Sequence, residues 1–237
     1  GSIRPQGIDI NYLVMGVGDI FRRQSRHAEF DVSEMSLSTY SVLLGQGDNR
    51  LVGIPVFPSR RFRHSDIYIN TKAGINHPSD LKGKRIGAPE FQQTAGIWQR
   101  AHLQHDFGVR QDEVEWYFGP MNEPDPDYTE RFPVELPSGL KTKNLGADQC
   151  LDQMLDGGEV DAILYAALPA SFRRGTANVD RLYPNYQEVE ADYYRRTGIF
   201  PIMHMVVVKR SIYEKAPWVA MSLYEAFIEA KAYGMKW

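Results

Sequence analysis

The sequence predicts an α/β protein with mainly parallel sheets, and three observations carry that expectation. Short apolar runs alternate along the chain with longer segments of helical spacing, the pattern of strands joined by crossover helices. Glycines stand at or just past the ends of several helical segments, where a chain stops most easily. The 237 residues are 43% hydrophobic and 24% charged, which is enough apolar material for a sizeable core.

The elements follow in order. Residues 8–15 are expected as a strand, because Ile8, Ile10, Tyr12 and Val14 alternate with Asp9, Asn11 and Leu13. Asp19 has the chemistry of an N-cap for a helix through His27. Residues 30–35 are short and mixed, and residues 36–40 open a second helix that ends near Gly45 or Gly47. The apolar run 51–56 predicts a buried strand, and residues 64–70 another, with Ile67 and Ile69 on one face. Residues 79–84 form a turn, 85–88 a short strand, and 94–107 a helix stopped by Gly108. Residues 113–118 alternate as a strand. Five prolines then punctuate residues 119–146, which are either an ordered excursion or a flexible loop. A helix over 148–156, a strand over 160–166 and another within 200–208 follow. Ser211 and Glu214 have capping-box spacing, and Pro217 suits the first turn of a final helix bearing Val219, Leu223, Phe227 and Ala230.

Composition excludes several functions. A net charge of −3 provides no basic field for nucleic acid. One cysteine, Cys150, rules out a disulfide framework, and it reads as a small buried hydrophobe rather than a reactive thiol. No apolar run approaches the roughly 20 residues of a membrane span. No signal peptide is visible, but the chain lacks a starting Met and reads as a fragment missing both ends.

Four constellations carry possible chemistry. Ser59-Arg60-Arg61-Phe62-Arg63-His64 places three guanidinium groups and an imidazole within five positions. Guanidinium is a planar fork matched to a carboxylate, and Phe57 and Phe62 argue against a freely solvated loop, so this segment is expected to bind a small carboxylated molecule. Spacing does not decide which arginines point inward. Glu34-Met35-Ser36-Leu37-Ser38-Thr39-Tyr40 offers hydroxyls and amides at a helix start, suited to an anion or simply to capping. Glu90-Phe91-Gln92-Gln93-Thr94 lies between a strand and a helix, where α/β proteins bind ligands, and Glu90 is a candidate acid or base or else a loop carboxylate. Arg195 to His204 runs from a polar loop into an apolar strand, where His204 is either a proton donor or a satisfied structural residue. Metal binding is not expected: the six histidines are scattered, and His102 and His105 at i,i+3 spacing lack a completing carboxylate or Cys pattern. Phosphate-loop and serine-elbow motifs are absent.

Read together, the segments "DLKGKRIG" and "LDGGEVDA" resemble solute-binding proteins of the type II periplasmic fold. The strings "FDVSEMSLSTY", "IPVFPSRRFRHSDIYIN", "GKRIGAPEFQQTAGIWQR" and "YYRRTGIFPIMHMVVVKR" resemble the 4,5-dihydroxyphthalate decarboxylase family over nearly the whole chain. The resemblance implies a two-lobed type II periplasmic-binding-protein-like fold with an interlobe cleft. Residues 1–70 and the return segment 206–237 form lobe one, and 71–205 form lobe two. It implies non-oxidative decarboxylation of a hydroxylated aromatic acid, 4,5-dihydroxyphthalate to protocatechuate and carbon dioxide. No cofactor is expected, because the ring itself accepts the electrons. Under that resemblance Arg60 and Arg63 clamp carboxylates, and Ser36, Ser38, Gln93 and Thr94 bind substrate. His64 or His204 moves the proton, with Glu90 orienting it or holding the hydroxyls. The expected partner is a small aromatic carboxylate, with neither nucleic acid nor a membrane span involved. A homo-oligomer is compatible with a final helix bearing Trp218, Tyr224 and Trp237. The expected location is cytoplasmic, or periplasmic under the rival reading of a non-catalytic solute receptor. Enzymes of cofactor biosynthesis share the fold: the iron-dependent pyrimidine synthase branch uses a cysteine-rich motif that this chain lacks, and the menaquinone-pathway branch is a further alternative that matches the strings above less well.

Overall fold

The computed structural model describes residues 3–130 and 132–236. In chain order its elements begin with α1 (Val17–His27), β1 (Val32–Ser36), α2 (Leu37–Gly45), β2 (Leu51–Arg60) and β3 (Ile67–Asn70). Next come β4 (Arg85–Ala88), α3 (Thr94–Phe107), β5 (Glu115–Phe118), β6 (Lys141–Asn144), α4 (Leu151–Gly157) and β7 (Ala162–Leu164). The chain closes with α5 (Ala170–Arg174), β8 (Val179–Arg181), α6 (Tyr186–Thr197), β9 (Ile202–Lys209), α7 (Arg210–Lys215) and α8 (Trp218–Gly234). Contacts divide it into two compact units, Gly1–Arg60 with Ile202–Trp237, and Arg61–Pro201.

The first unit is built on an antiparallel sheet of order β1-β9-β2. Alternation along β9 drives Val206 and Val208 into a cluster with Ile54, Val219 and Leu223, so α8 covers that face. Pro55 and Pro58 lack the amide that a ladder needs, and the pairing of β2 slips between Ile54 and Ser59. The strand nevertheless runs on to Arg60, beyond the expected end at 56. A Cβ at Gly53 would meet the flexible end of the Met205 side chain and press on the Tyr40 ring, and the Gly53 amide donates to the Tyr40 hydroxyl at 2.8 Å.

Several expectations for this unit are corrected. Residues 8–15 form no strand, and Ile10, Tyr12, Leu13 and Val14 are exposed. Alternation specifies a face but not a partner edge, and β1 and β2 already flank β9. The spacing of Ser211 and Glu214 makes no capping box, because α7 begins at Arg210 and puts Ser211 inside the helix. Pro217 is the N-cap of α8 rather than a residue of its first turn. Trp218 is half exposed, and Trp237 lies outside the described residues.

The second unit holds a six-stranded sheet of order β6-β5-β4-β7-β3-β8. Its β6-β5, β5-β4 and β4-β7 junctions are parallel, whereas β3 runs antiparallel to both β7 and β8. The protein is therefore α/β with a mixed, mostly parallel larger sheet, and parallel pairing is confined to that sheet among the described residues. All four residues of β3 are buried, because Ile67 and Ile69 enter one core cluster and Tyr68 the other. The expected strand at 64–70 starts only at Ile67, since His64–Asp66 is a 3₁₀ turn. The pairing of β3 with β7 and β8 puts it in the second unit, so the division falls at 60/61 and 201/202 rather than near 70 and 206. The elements α5, β8 and α6 have no counterpart among the expectations; α6 is largely exposed and polar, which blurs its period.

The proline-punctuated excursion packs onto the unit. The Tyr128 hydroxyl donates to the Pro89 carbonyl at 2.5 Å, the Gln92 side-chain amide donates to the Phe132 carbonyl at 2.6 Å, and Leu136 and Leu140 pack against the core. Cys150 is fully buried at the N-cap of α4, and burial pushes its thiol up.

Candidate functional site

In the first unit, β1 alternates so that Glu34 and Ser36 share a face, and the register places Ser36 directly opposite His204 of β9. Ser59 of β2 opposes His204 from the other side, and Arg60 opposes Ile202. Antiparallel pairing thus gathers residues that are distant in sequence onto one end of one sheet. His204 Nδ1 lies 2.6 Å from Glu34 Oε1, with the imidazole 21% exposed and the edge of Phe21 against its ring at 4.8 Å. A carboxylate at Nδ1 fixes the ring's orientation and directs its other nitrogen to proton exchange.

Ser36 ends β1 and is the N-cap residue of α2, but its side chain makes no capping bond. Its hydroxyl instead meets that of Ser38 at 3.0 Å, and both residues are buried. Two hydroxyls beside the first-turn amides form a donor-rich corner. Arg60 is exposed at the end of its strand.

In the second unit, the arginine-rich turn is mostly committed to the fold. Arg63 is 6% exposed, pairs with Asp66 at 2.7 Å and donates to the Ala166 carbonyl at 3.2 Å. Asp66 is fully buried and also receives Arg61 at 3.1 Å. Gln99 donates to the Asp66 and Tyr165 carbonyls, Glu190 accepts from the Ser65 amide, and Arg181 donates to the Ser65 carbonyl. Burial lowers the Arg63 guanidinium, and Asp66 acts in the opposite direction. The charge of Arg63 is therefore met inside the protein.

His64 is 1% exposed and stacks on His102 at 4.1 Å, with Tyr183 and Tyr193 alongside. Burial pushes His64 down to about 4 and His102 to about 3. His102 lies eight residues along α3 from Thr94, roughly 12 Å of helix. His64 is accordingly placed away from the residues that open that helix.

Glu90 and Thr94 are buried where β4 hands over to α3, and Gln93 is the N-cap residue, without a side-chain capping bond. Glu130 stands near enough to Glu90 that burial and the Glu90 charge both raise it. Sequence reasoning missed Arg100, which lies in the same region. Its guanidinium stacks on Phe91 at 4.0 Å and stands 5.7 Å from the Trp116 ring. Its Nη1 is sealed from solvent without a hydrogen-bond partner, and burial alone lowers it to about 10, so it remains cationic at neutral pH. Four residues before it in α3, a Cβ at Gly96 would lie 3.4 Å from Nη1. Glu34 was also given no role, although strand alternation from Ser36 points to it.

No family model matches the chain. Two curated relatives do. The chain is 38% identical over 232 residues to the 4,5-dihydroxyphthalate decarboxylase of Comamonas testosteroni, covering 98% of this chain and 70% of the relative. It is 38% identical over 195 residues to the Pseudomonas putida protein of the same name, covering 82% and 75%. Among solved structures it is similar to the periplasmic aliphatic sulphonate binding protein SsuA from Escherichia coli, with a TM-score of 0.53 at 15% identity over 89% of this chain and 58% of that one. It is also similar to a putative periplasmic sulfonate-binding protein from Methylobacillus flagellatus KT, with a TM-score of 0.54 at 14% identity over 92% and 53%. These likenesses establish the type II periplasmic-binding-protein-like α/β fold, and the chain spans somewhat more than half the length of either structure.

Proposed function

Because the chain belongs to the 4,5-dihydroxyphthalate decarboxylase family, we propose that it removes carbon dioxide non-oxidatively from a hydroxylated aromatic acid, with 4,5-dihydroxyphthalate as substrate and protocatechuate as product. The observation that carries the residue assignment is the Glu34–His204 pair beside the Ser36 and Ser38 hydroxyls.

The chemistry needs a proton at the ring carbon bearing the departing carboxylate. The hydroxyl para to that carbon raises its electron density. Protonated His204 delivers the proton and forms the new C–H bond; the C–C bond then breaks, carbon dioxide leaves, and the bonding pair restores the aromatic ring. Glu34 orients the imidazole and offsets its charge while it carries the proton, and solvent restores that proton after turnover. Ser36, Ser38 and the first-turn amides of α2 donate to an oxyanion, and Arg60 supplies a cation at the same end of the sheet.

In the second unit, Gln93, Thr94 and Glu90 remain candidate substrate contacts, and Arg100 is a buried cation beside them whose role in anion binding is open to test. Arg63 and His64 leave the reactive set: Arg63 holds its turn through Asp66, and His64 is buried against His102. Among the described residues, no helix is long and apolar enough to cross a membrane.

The test is to incubate the full-length protein with 4,5-dihydroxyphthalate and follow carbon dioxide and protocatechuate. Stoichiometric release of both is expected. Tight binding without turnover would favour the solute-receptor reading, which the same fold accommodates. Arg60→Ala is expected to raise KM, and unchanged affinity in that variant removes Arg60 from the clamp.

A further inference from the structure

We propose that His64, His102 and Asp106 form a site for one divalent transition-metal ion in the second unit, separate from the proton-transfer pair. The ligand atoms of these three residues all lie within 4.8 Å of one another. His102 and Asp106 stand at i,i+4 on α3, so they share one face one turn apart. His64 arrives from the 3₁₀ turn before β3. The scattered histidines of the sequence thus acquire a carboxylate and a second imidazole only through folding, and the partner of His102 is Asp106 rather than the neighbouring His105.

Two further observations point to a cation. Both imidazoles are at least 98% buried, and each has one ring nitrogen, Nδ1 of His64 and Nε2 of His102, sealed from solvent without a hydrogen-bond partner. A buried polar atom without a partner forfeits the hydrogen bond it made to water, so two side by side need an explanation. Beside them lies a cavity of about 300 Å³, lined in part by His64, Asp106, Glu188, Asp192 and Arg196. Three carboxylates against one guanidinium leave that lining net negative. Arg196 holds Asp192 at 2.8 Å and Asp106 at the longer 3.5 Å, so Asp106 can turn to an ion while Arg196 keeps its other partner.

The two rings are stacked with an interplanar angle of 17°. Lone pairs in parallel ring planes do not converge, so loading requires one ring to rotate about its Cβ–Cγ bond, His64 toward the adjoining cavity. Two imidazoles and a carboxylate suit Zn²⁺, Co²⁺ or Ni²⁺, and a hard cation such as Mg²⁺ much less.

The experiment uses the full chain, stripped with a chelator and then titrated with Co²⁺ and with Zn²⁺, following visible Co²⁺ absorption and heat of binding. One equivalent is expected, with a rise in Tm on loading. Asp106→Asn changes a surface residue and is expected to weaken binding about tenfold or more; His102→Gln is expected to abolish it. His105→Ala is expected to leave it unchanged. Failure of the wild-type chain to bind an equivalent, or binding that survives Asp106→Asn at full affinity, would overturn the proposal. So would binding lost on His105→Ala. These readouts do not depend on decarboxylation, so they stand or fall apart from the proposed reaction.

Discussion

His204 and His64 show how one residue type is put to opposite uses. His204 sits in a strand, partly exposed, with Glu34 at 2.6 Å on one nitrogen. His64 is almost completely buried, stacked on a second histidine, with a nitrogen that has no partner among the described residues. A carboxylate neighbour and access to solvent equip an imidazole to exchange protons, whereas burial beside another imidazole keeps it neutral and its lone pair available. The arginines divide the same way: Arg63 is neutralised internally by Asp66, whereas Arg100 is held by aromatic faces with no carboxylate at hand among the described residues.

The contrast is broken most directly by paired substitutions. His204→Gln is expected to lower kcat about 1000-fold with a small change in KM, as loss of a general acid does, while His64→Gln leaves kcat within a few fold. Steady-state formation of protocatechuate checks both, and an equal loss in the two variants would erase the distinction. Asp66→Asn is expected to cost about 3 kcal/mol in urea denaturation, because it strands the buried Arg63 charge.

Arg100→Met keeps the apolar packing and removes the cation. It is expected to raise the Kd for phthalate about 30-fold by calorimetry, with Tm little changed. A large fall in Tm with unchanged Kd would make Arg100 structural.

The smallest effect concerns pH. In the chelator-treated protein, His64 stays neutral down to pH about 4, whereas the unfolded chain takes up that proton below about 6.5. Between those values the unfolded state binds more protons, so stability falls as pH falls. His64→Phe is expected to flatten this limb between pH 6.5 and 4, and denaturation curves across that range measure it.

Legibility followed the range of the interactions. The bounds of α2 and α3 could be read from glycine stops and polar starts, because local backbone chemistry sets them. The run at 8–15 misled, because alternation needs a neighbouring edge to become a strand, and α6 went unread, because an exposed helix has little apolar period. At the candidate site, the hydroxyls of Ser36 and Ser38 and the imidazole of His204 were legible as chemistry. Their assembly was not, since it depends on the register of β1 and β2 against β9.

The division between levels is sharpest in the arginine-rich segment. Sequence alone determined that the chain is α/β, that it resembles an aromatic-acid decarboxylase, and which residue types could meet an anion. Tertiary structure alone decided which guanidinium is already neutralised, which imidazole has a carboxylate, and that His64 meets His102 and Asp106. Charge and hydrogen-bonding capacity belong to a residue, but whether they remain available depends on partners that only folding brings within a few ångströms.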